Sequence, residues 1–346
     1  MGYYQAHCWK RDRANSPLGV GVLLALLIGS LAWSQEVAMT GVLELKGSIH
    51  GVHDPVIAEE NGSFYLFSTG RGIPRHCSDD LIQWRGCGLV FFGLPRWARE
   101  YVPGVTDIWA PDISFFNGRW HLYYSLSTFG SNVSAIGLAT NRTLDPNSPE
   151  HEWVDEGVVI ASRSTDSWNA IDPNIVIDTE GRVWLAFGSH WDGIKMRRID
   201  AETGKLSSDD QTLYALASRP VHPRAVEAPF IIYRQGYYYL FVSFDACCRG
   251  VNSTYNIRVG RSPAVTGPYL DREGVPLLQG GGTLLLEGFG RWRGPGHNAI
   301  LQDSQGELLV YHAYDAEFGG TPALRIERLI WHEGWPMAPS ATFADP

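Results

Sequence analysis

The chain has 346 residues, of which 44% are hydrophobic and 19% are charged, and its formal net charge is −9 at pH 7. This composition is typical of a globular protein with a substantial core and argues against intrinsic disorder. The excess of acidic residues argues against nucleic acid as a partner and slightly favours a neutral polymer over an anionic one.

The first 34 residues have the layout of a secretory signal peptide. Three basic residues between positions 10 and 13 precede an apolar run from Leu18 to Leu31, and Ala32-Trp33-Ser34 then supplies small residues for a signal peptidase. The run is shorter than the roughly 20 apolar residues that a spanning helix needs. We therefore predict export, cleavage near Ser34 and no stable membrane insertion afterwards. The expected location is extracellular, or periplasmic in a Gram-negative host.

Four cysteines follow the predicted signal peptide, and export permits disulfides between them. Adjacent Cys247 and Cys248 could close a small ring while Cys77 and Cys87 bridge a local loop, but both pairs crossing is also open. The sequence has no CxxC spacing, so a zinc site is not expected.

Five segments of the remaining chain share one layout. Each begins with a short polar motif that ends in Pro or Asn, continues into an apolar run, turns at a glycine and ends in a run rich in aromatic residues. The segments are 53–67, 109–124, 171–187, 227–241 and 296–312. The glycine always follows the Pro or Asn by seven or eight residues, at Gly62, Gly118, Gly181, Gly236 and Gly306.

The spacing of these segments predicts the fold. The Pro or Asn positions are 56, 62, 56 and 69 residues apart, which is enough chain for a four-stranded sheet with its loops. Strand repeats of this length are typical of propeller blades. We therefore predict an all-β protein, with residues 35–346 forming a single catalytic domain, a five-bladed β-propeller, with its active site at one mouth of the central channel. A β-sandwich would not explain why the same offset recurs in every repeat.

Ionisable side chains occupy equivalent positions at the starts of these repeats, which should converge at one mouth of the channel. The positions hold Asp54, Asp172 and His297 in the first, third and fifth repeats, and Glu227 beside Ala228 in the fourth. Each side chain alone could be ordinary turn chemistry or a solvated strand edge. Their joint occurrence favours cleavage of a glycosidic bond, which needs a proton donor and a second carboxylate. A third carboxylate near the donor can raise the donor's pKa.

An ordered set of six segments carries a family resemblance. The segments are Gly51–Pro55, Ile108–Asp112, Tyr124–Ser131, Ile171–Asn174, Val226–Pro229 and Gly294–Asn298. Together they resemble the arabinanases of glycoside hydrolase family 43, and the resemblance extends from about Gly51 to Trp335. Segments 134–137 and 188–194 are similar to the arabinan-cutting branch and differ from the xylosidases.

The resemblance implies an endo-acting enzyme that hydrolyses α-1,5-L-arabinofuranosidic bonds of arabinan or arabino-oligosaccharides with inversion. It assigns Asp54 as the general base on water, Glu227 as the general acid, and Asp172 as the residue that tunes and orients Glu227. We expect the enzyme to be a monomer.

The resemblance also implies sugar contacts. Trp109 and Phe129 would stack against the apolar face of a furanose, and Asn174 and Ser189 would hydrogen-bond the sugar. Each of these four side chains could equally belong to the propeller core. We interpret Asp112 as a buried structural acceptor and not as a catalytic acid.

The resemblance further implies a cation in the central channel. Relatives with a matching Gly-His-Asn segment hold one, usually calcium, through a histidine and a shell of water, which assigns His297 as the metal ligand. Calcium prefers oxygen ligands, so neighbouring carboxylates would orient the water. The alternative is that His297 is a hydrogen-bonded structural residue.

Two other functions stay open at this stage. An exo-acting arabinanase, an arabinofuranosidase or a xylosidase of the same fold would keep the acids and differ in its loops. A non-catalytic carbohydrate-binding propeller would keep Trp109 and lose one or more acids, whereas all three acids are present.

Overall fold

The computed structural model describes residues 41–343, so the predicted signal peptide lies outside the described residues. Five sheets form a β-propeller, which confirms the predicted fold class. The innermost strand of each sheet contacts the innermost strands of its two neighbours, so that five strands in cyclic order surround the central channel.

The first three blades contain thirteen strands. Blade one contains β1 (Lys46–Gly47), β2 (Val56–Glu60), β3 (Ser63–Phe67), β4 (Pro74–Ser78) and β5 (Gln83–Leu89). Blade two contains β6 (Trp109–Phe116), β7 (Arg119–Leu126), β8 (Ser134–Asn141) and β9 (Val154–Ser162). Blade three contains β10 (Asn174–Ile177), β11 (Val183–Phe187), β12 (Ile194–Ile199) and β13 (Tyr214–Ala217).

Two further blades and a hairpin complete the described chain. Blade four contains β14 (Val226–Arg234), β15 (Tyr237–Phe244), β16 (Asn256–Ser262) and β17 (Thr283–Leu286). Blade five contains β18 (Trp292–Asp303), β19 (Gly306–Asp315) and β20 (Thr321–Arg328), and the hairpin is β21 (Ile330–His332) with β22 (Trp335–Met337). The helices are α1 (Ala98–Tyr101) and 3₁₀ turns at Gly250–Asn252, Leu277–Gln279, Ala316–Phe318 and Pro339–Phe343.

Apart from β1, consecutive strands within each blade pair antiparallel, and tight turns connect the two innermost strands. Asn61 and Gly62 join β2 to β3, and Asn117 and Gly118 join β6 to β7, all four with positive φ. Two consecutive positive φ values match the twist of a hairpin, and Asn-Gly is the residue pair that adopts them most readily. The predicted turn glycines therefore mark the hairpin between the two innermost strands of these blades.

The segment before β2 closes the ring of blades. Leu43 N–H donates to Ile326 O at 2.9 Å, and Leu324 N–H donates to Ile49 O at 2.9 Å, so this segment lies along the outer edge of β20 in blade five. Between these contacts, β1 pairs in parallel with β5 of blade one. The segment therefore joins the last blade to the first.

Left-handed backbone marks the start of every blade. One residue at or next to the first strand of each blade has positive φ, with values of 38° to 56°: Asp54, Ala110, Asp172, Ala228 and His297. For residues other than glycine this conformation costs about 1–3 kcal/mol each, so other contacts must hold it. All five lie at the repeat positions that the sequence singled out.

Hydrogen bonds between neighbouring blades hold these five residues. The backbone N–H donates to a side chain of the preceding blade in the pairs Ala110 to Thr69, Asp172 to Ser125, His297 to Ser243 and Asp54 to His312. Each acceptor stands 15 positions after the left-handed residue of its own blade. In blade three that position holds Phe187, which has no acceptor, and Ala228 N–H donates instead to Asp172 Oδ2 at 3.1 Å.

Both disulfides are the local ones. Cys77 on β4 pairs with Cys87 on β5, and Cys247 pairs with the adjacent Cys248 in the loop after β15. This decides between the pairings that the sequence left open. In the described part of the chain, no helix has the length and apolar character needed to cross a membrane.

Candidate active site

The channel mouth brings the three predicted acids and His297 together. Asp54 and Asp172 are buried, and Glu227 and His297 keep 13% and 15% of their side-chain surface exposed. Their charges act on one another, because each of the three carboxylates raises the pKa of His297. Residues separated by up to 243 positions thus form one buried ionisable cluster.

Asp54 is held in its ionised form. Thr69 Oγ1 donates to Asp54 Oδ2 at 2.5 Å, His53 Nδ1 lies 2.9 Å from the same oxygen, and His297 Nδ1 lies 3.1 Å from Oδ1. Burial opposes ionisation, but the charges and hydrogen bonds of His53 and His297 outweigh it and hold the pKa of Asp54 well below its ordinary value. An ionised carboxylate at this place can accept a proton.

Of the three histidines beside Asp54, His297 and His312 have pKa values that are shifted in opposite directions. Burial lowers the pKa of His297, but the charge and hydrogen bond of Asp54 outweigh it, and the pKa is raised to about 9. Burial and the neighbouring His53 hold the pKa of His312 well below its ordinary value. A neutral His312 fits its contacts, because its Nδ1 accepts the backbone N–H of Asp54 at 3.1 Å.

Glu227 is surrounded by donors. Ser189 Oγ donates to Glu227 Oε2 at 2.7 Å, and His190 Nδ1 lies 3.3 Å from the same oxygen. Burial raises the pKa of Glu227, but the hydrogen bonds of His190, Ser189 and Tyr255 and the charge of His190 outweigh it and lower the pKa. The raised pKa that we expected for the general acid is therefore not found at Glu227. Like Asp54, Glu227 accepts hydrogen bonds that stabilise its ionised form.

The raised pKa belongs instead to Asp172. Burial, together with the negative charges of Glu227 and Asp54, outweighs the opposing charge of His297 and raises the pKa of Asp172 to about 7. Asp172 and Glu227 act on each other as like charges, so the pair keeps one proton up to near-neutral pH. A group that keeps a proton at this pH can act as an acid.

An aromatic pair lies at the start of blade two, where Trp109 precedes Ala110. The ring centroids of Trp109 and Phe129 are 4.9 Å apart, and the rings are inclined at 46°. Phe129 is 80% exposed, which excludes the core alternative for this residue, and Trp109 is half-buried. Exposed aromatic faces at a channel mouth suit the apolar face of a sugar.

The two predicted polar sugar contacts are differently placed. Ser189 is buried against Glu227, within the ionisable cluster. Asn174 is also buried, where its Nδ2 donates to Asp112 Oδ1 and its Oδ1 accepts Ile231 N–H. The amide of Asn174 therefore bridges blades two, three and four, and its sugar contact stays a prediction. Asp112 accepts from Asn174 and from Ile175 N–H, as expected of a buried structural acceptor.

A family profile matches most of this chain. The profile is that of the Glycosyl hydrolases family 43, and it matches residues 49–336. The chain belongs to glycosyl hydrolase family 43. This confirms the resemblance that the six segments carry.

Similar proteins agree with this membership. An extracellular endo-α-(1→5)-L-arabinanase of Bacillus subtilis is 47% identical over 95% of this chain and 98% of its own length. An extracellular exo-α-(1→5)-L-arabinofuranosidase of Cellvibrio japonicus is 43% identical over 83% of this chain and 86% of its own. The solved structure of a family 43 endo-arabinanase from Bacillus licheniformis has a TM-score of 0.80 and 48% identity, covering 85% of this chain and 99% of the other.

Several contacts of this family 43 site were not predicted from the sequence. They involve His53, Thr69, His190, Tyr255 and His312. The sequence contained a signal for three of them. His53 directly precedes Asp54 in its motif, and Thr69 and His312 stand 15 positions after Asp54 and His297, respectively. No such signal marks His190 or Tyr255, which reach Glu227 from two different loops.

Metal-ligating side chains are present in the site. Ligand atoms of His53, Asp54 and His312 lie within 4.8 Å of one another. His312 Nε2 and the side-chain amide of Asn298 are buried polar atoms without a hydrogen-bond partner among the described residues. Buried polar atoms of this kind are commonly satisfied by internal water. Imidazole, carboxylate and water together fit a cation that is held largely through water.

Proposed function

We propose that this chain hydrolyses α-1,5-L-arabinofuranosidic bonds within arabinan. The observation that carries the proposal is the buried cluster of Asp54, Asp172 and Glu227, in which the pKa of Asp54 is held well below its ordinary value and the pKa of Asp172 is raised to about 7. Glycoside hydrolysis needs this combination of a base and an acid. The endo-acting relatives support arabinan as the substrate.

The residues act as follows in the proposed mechanism. Asp54 accepts a proton from a water molecule while the water oxygen attacks the anomeric carbon. Glu227 protonates the departing oxygen with the proton that it shares with Asp172. The bond to the leaving sugar breaks as the bond to water forms, so one displacement inverts the anomeric centre. Trp109 and Phe129 support the sugar beside the cut.

The proposal is tested by the size and configuration of the products. The purified protein is incubated with linear arabinan, branched arabinan, arabinoxylan and an aryl arabinofuranoside. Endo action on linear arabinan gives a ladder of oligosaccharides at early times, whereas exo action gives a single small product from the outset. Proton NMR of the first product should show the β-anomer, and an initial α-anomer would exclude single displacement.

Exo action is the second candidate, because one similar relative is an exo-acting arabinofuranosidase. The acids would be used in the same way, and only the ends of the substrate groove would differ. Early appearance of one small product from linear arabinan would favour this candidate over endo action. Absence of cleavage with retained sugar binding would instead favour a carbohydrate-binding propeller.

We further propose one calcium ion in the channel, held by His297 and water. The carboxylates of Asp54 and Asp172 would orient that water, and His312 Nε2 and Asn298 offer buried polar atoms for more. When bound, the ion would supply positive charge that helps to hold Asp54 ionised and stabilises the fold. His297 would then be neutral, since a protonated imidazole cannot ligate a metal.

Chelation tests the calcium proposal. Removal of the ion should lower both the unfolding temperature and the activity, and added calcium should restore both. His297→Ala should abolish the response to calcium. Elemental analysis that finds no bound metal, together with full activity of His297→Ala, would return His297 to a structural role.

We also propose that the protein is secreted as a monomer after removal of residues 1–34. The extracellular relatives support secretion, and the layout of basic and apolar residues supports cleavage near Ser34. N-terminal sequencing of the protein from culture medium tests the cleavage site. Gel filtration with light scattering tests the monomer.

A further inference from the structure

A ring formed by two adjacent cysteines lies beside the cluster. Cys247 and Cys248 are disulfide-bonded, and Cys248 Sγ lies 3.9 Å from His53 Nε2. The covalent ring contains the peptide bond between the two cysteines. It therefore restricts the direction in which the backbone N–H of Cys248 points.

A series of hydrogen bonds leads from that N–H to Asp54. Cys248 N–H donates to Tyr314 Oη at 2.8 Å, and Tyr314 Oη lies 2.8 Å from His53 Nε2. His53 Nδ1 lies 2.9 Å from Asp54 Oδ2. Tyr314 is 3% exposed, so water cannot readily replace these bonds.

Tyr314 fixes the imidazole of His53 relative to Asp54. The phenol oxygen of Tyr314 accepts from Cys248 N–H and is hydrogen-bonded to His53 Nε2, so the ring of His53 is held with its Nδ1 towards Asp54. A proton on Nδ1 then faces Asp54 Oδ2, which also accepts from Thr69. Two donors thus hold Oδ2, while Oδ1 has His297 Nδ1 at 3.1 Å and keeps a second lone pair that can accept a proton from water.

We propose that the Cys247–Cys248 ring, Tyr314 and His53 are positioning residues that hold Asp54 in the orientation of a general base. This inference rests on the proposed role of Asp54. Cys248 is exposed, so a dithiol can reach the disulfide. The dithiol supplies two electrons and two protons, the S–S bond breaks, two cysteine thiols form, and the dithiol becomes a disulfide. Reduction therefore releases the peptide that anchors Tyr314 and lowers turnover.

Tyr314→Phe tests the middle of this series. The ring of the side chain stays and only the hydroxyl is lost, so we expect kcat to fall about tenfold with little change in KM, as for a misplaced catalytic group. The control is Tyr239→Phe, because Tyr239 is a buried tyrosine whose hydroxyl donates to Gly334 O at 2.6 Å. A raised KM with unchanged kcat would show that Tyr314 only shapes the sugar groove and would overturn the proposal.

A double-mutant comparison tests whether Tyr314 acts through His53. His53→Asn keeps an N–H donor near the position of Nδ1 but has no atom that reaches Tyr314, so it should retain more activity than His53→Ala. In the His53→Asn background, Tyr314→Phe should have no further effect on kcat. If the two substitutions lowered kcat independently, so that their changes in activation free energy added, the proposed series would be contradicted.

The Cys247–Cys248 disulfide is tested in a variant that lacks the Cys77–Cys87 disulfide. With Cys77→Ala and Cys87→Ala in place, dithiothreitol reduces only the Cys247–Cys248 ring. We expect kcat to fall about tenfold and to recover on reoxidation, with no further loss when Tyr314→Phe is present. Unchanged kcat after reduction, with two thiols verified by titration, would overturn the role of the ring. If this background does not fold, the Tyr314 and His53 variants decide the proposal.

Asp54→Asn, measured in parallel, separates this proposal from the proposed function. Wild-type activity of Asp54→Asn would remove Asp54 as the base, and the proposed mechanism would fail. An inactive Asp54→Asn beside a fully active Tyr314→Phe would overturn only the positioning role.

Discussion

The five left-handed residues share one backbone conformation but carry three kinds of side chain. Ala110 and Ala228 show that the scaffold needs no polar group at this position. Asp54 and Asp172 place carboxylates there, and burial penalises their ionised forms. Asp172 also accepts Ala228 N–H, whereas a carboxylate at Asp54, where blades two and four have alanine, is explained by chemistry at the channel mouth.

The clearest test at the residue scale is removal of the proposed proton-transfer groups. Asp54→Asn and Glu227→Gln keep side-chain volume but cannot exchange the proton, so we expect each to lower kcat on linear arabinan by about 10²–10⁴-fold. Steady-state kinetics measures the loss. Asp209→Asn, a substitution of an exposed acid, is the control and should keep full activity. Near-normal turnover of either active-site variant would remove that residue from its role.

The donors around Glu227 predict a shift of the pH profile. Ser189→Ala removes an O–H that stabilises the carboxylate, so the pKa of Glu227 should rise. An acid with a raised pKa stays protonated to higher pH. The alkaline limb of the kcat profile should therefore move upward, by about one unit at most. Ser127→Ala is the control, because Ser127 is hydrogen-bonded to Ser134 in blade two. A downward shift of the alkaline limb in Ser189→Ala would contradict this assignment.

At the scale of the strands, side chains just inside the channel mouth tie neighbouring blades together. Asp112 on β6 accepts Ile175 N–H of β10 at 2.8 Å, and Asn174 on β10 accepts Ile231 N–H of β14 at 2.9 Å. Burial, opposed by the hydrogen bonds that Asp112 accepts from Ile175 N–H and from the side-chain amide of Asn174, raises the pKa of Asp112 to about 7. The strands that carry the acids are thus positioned by polar bonds as well as by packing.

The raised pKa of Asp112 predicts a pH-dependent stability. Between about pH 4 and pH 7 the folded chain keeps a proton that the unfolded chain has lost, so this residue's contribution to stability falls as pH rises and is constant above about pH 7. Asp112→Asn removes the effect. Relative to the wild type, the variant should gain stability from pH 5 to pH 7, on the order of a few kcal/mol, in urea unfolding.

Asp178 is the matched control, because its pKa is shifted in the opposite direction. Burial raises its pKa, but hydrogen bonds from Trp184 and Arg182 outweigh burial and lower it. Its contribution to stability is therefore present above about pH 4 and is lost as pH falls through the folded pKa. Asp178→Asn should lower the free energy of unfolding most at neutral pH. Parallel pH curves for wild type and Asp112→Asn would contradict the assignment for Asp112.

At the scale of the whole molecule, the propeller closes through hydrogen bonds and not through a covalent bond. The segment from Gly41 to Gly51 bonds to β20 at both of its ends and pairs with β5 between them. Leu43, Leu45 and Ile49 of this segment pack against the core cluster that blades one, two and five share. The ring is thus held by a strand from the opposite end of the chain.

Deletion of this segment should weaken the whole ring. A chain that begins at Gly51 loses these hydrogen bonds and the partly buried Leu43, Leu45 and Ile49, at a cost of about 3–5 kcal/mol. For a domain of this size we expect the unfolding temperature to fall by roughly 10 °C relative to a chain that begins at Gly41. Calorimetry of the two chains measures the difference. Equal unfolding temperatures would show that the segment does not close the ring.

The sequence by itself determined the number of blades, the turn glycines and the residues at the channel mouth. These features follow from a local pattern, because the strands and turns of each repeat are specified by residues within that repeat. The fixed spacing within the repeats places Asp54, Asp172 and His297 at equivalent positions. Asp112 stands two positions after Ala110, which holds the equivalent position in the second repeat, so the pattern also separates Asp112 from the catalytic candidates. Local patterns therefore carried the architecture and the identity of the candidate acids.

The tertiary structure decided which groups contact the acids and which acid keeps the proton. The donors at Glu227 come from Ser189 and His190, and the cysteine pairing places Cys248 beside Tyr314 and His53. Such contacts join residues that are tens to hundreds of positions apart, and they depend on how the blades pack. A pKa in a buried cluster is the balance of burial against those few contacts, so it can be read only once the distances between the side chains are known.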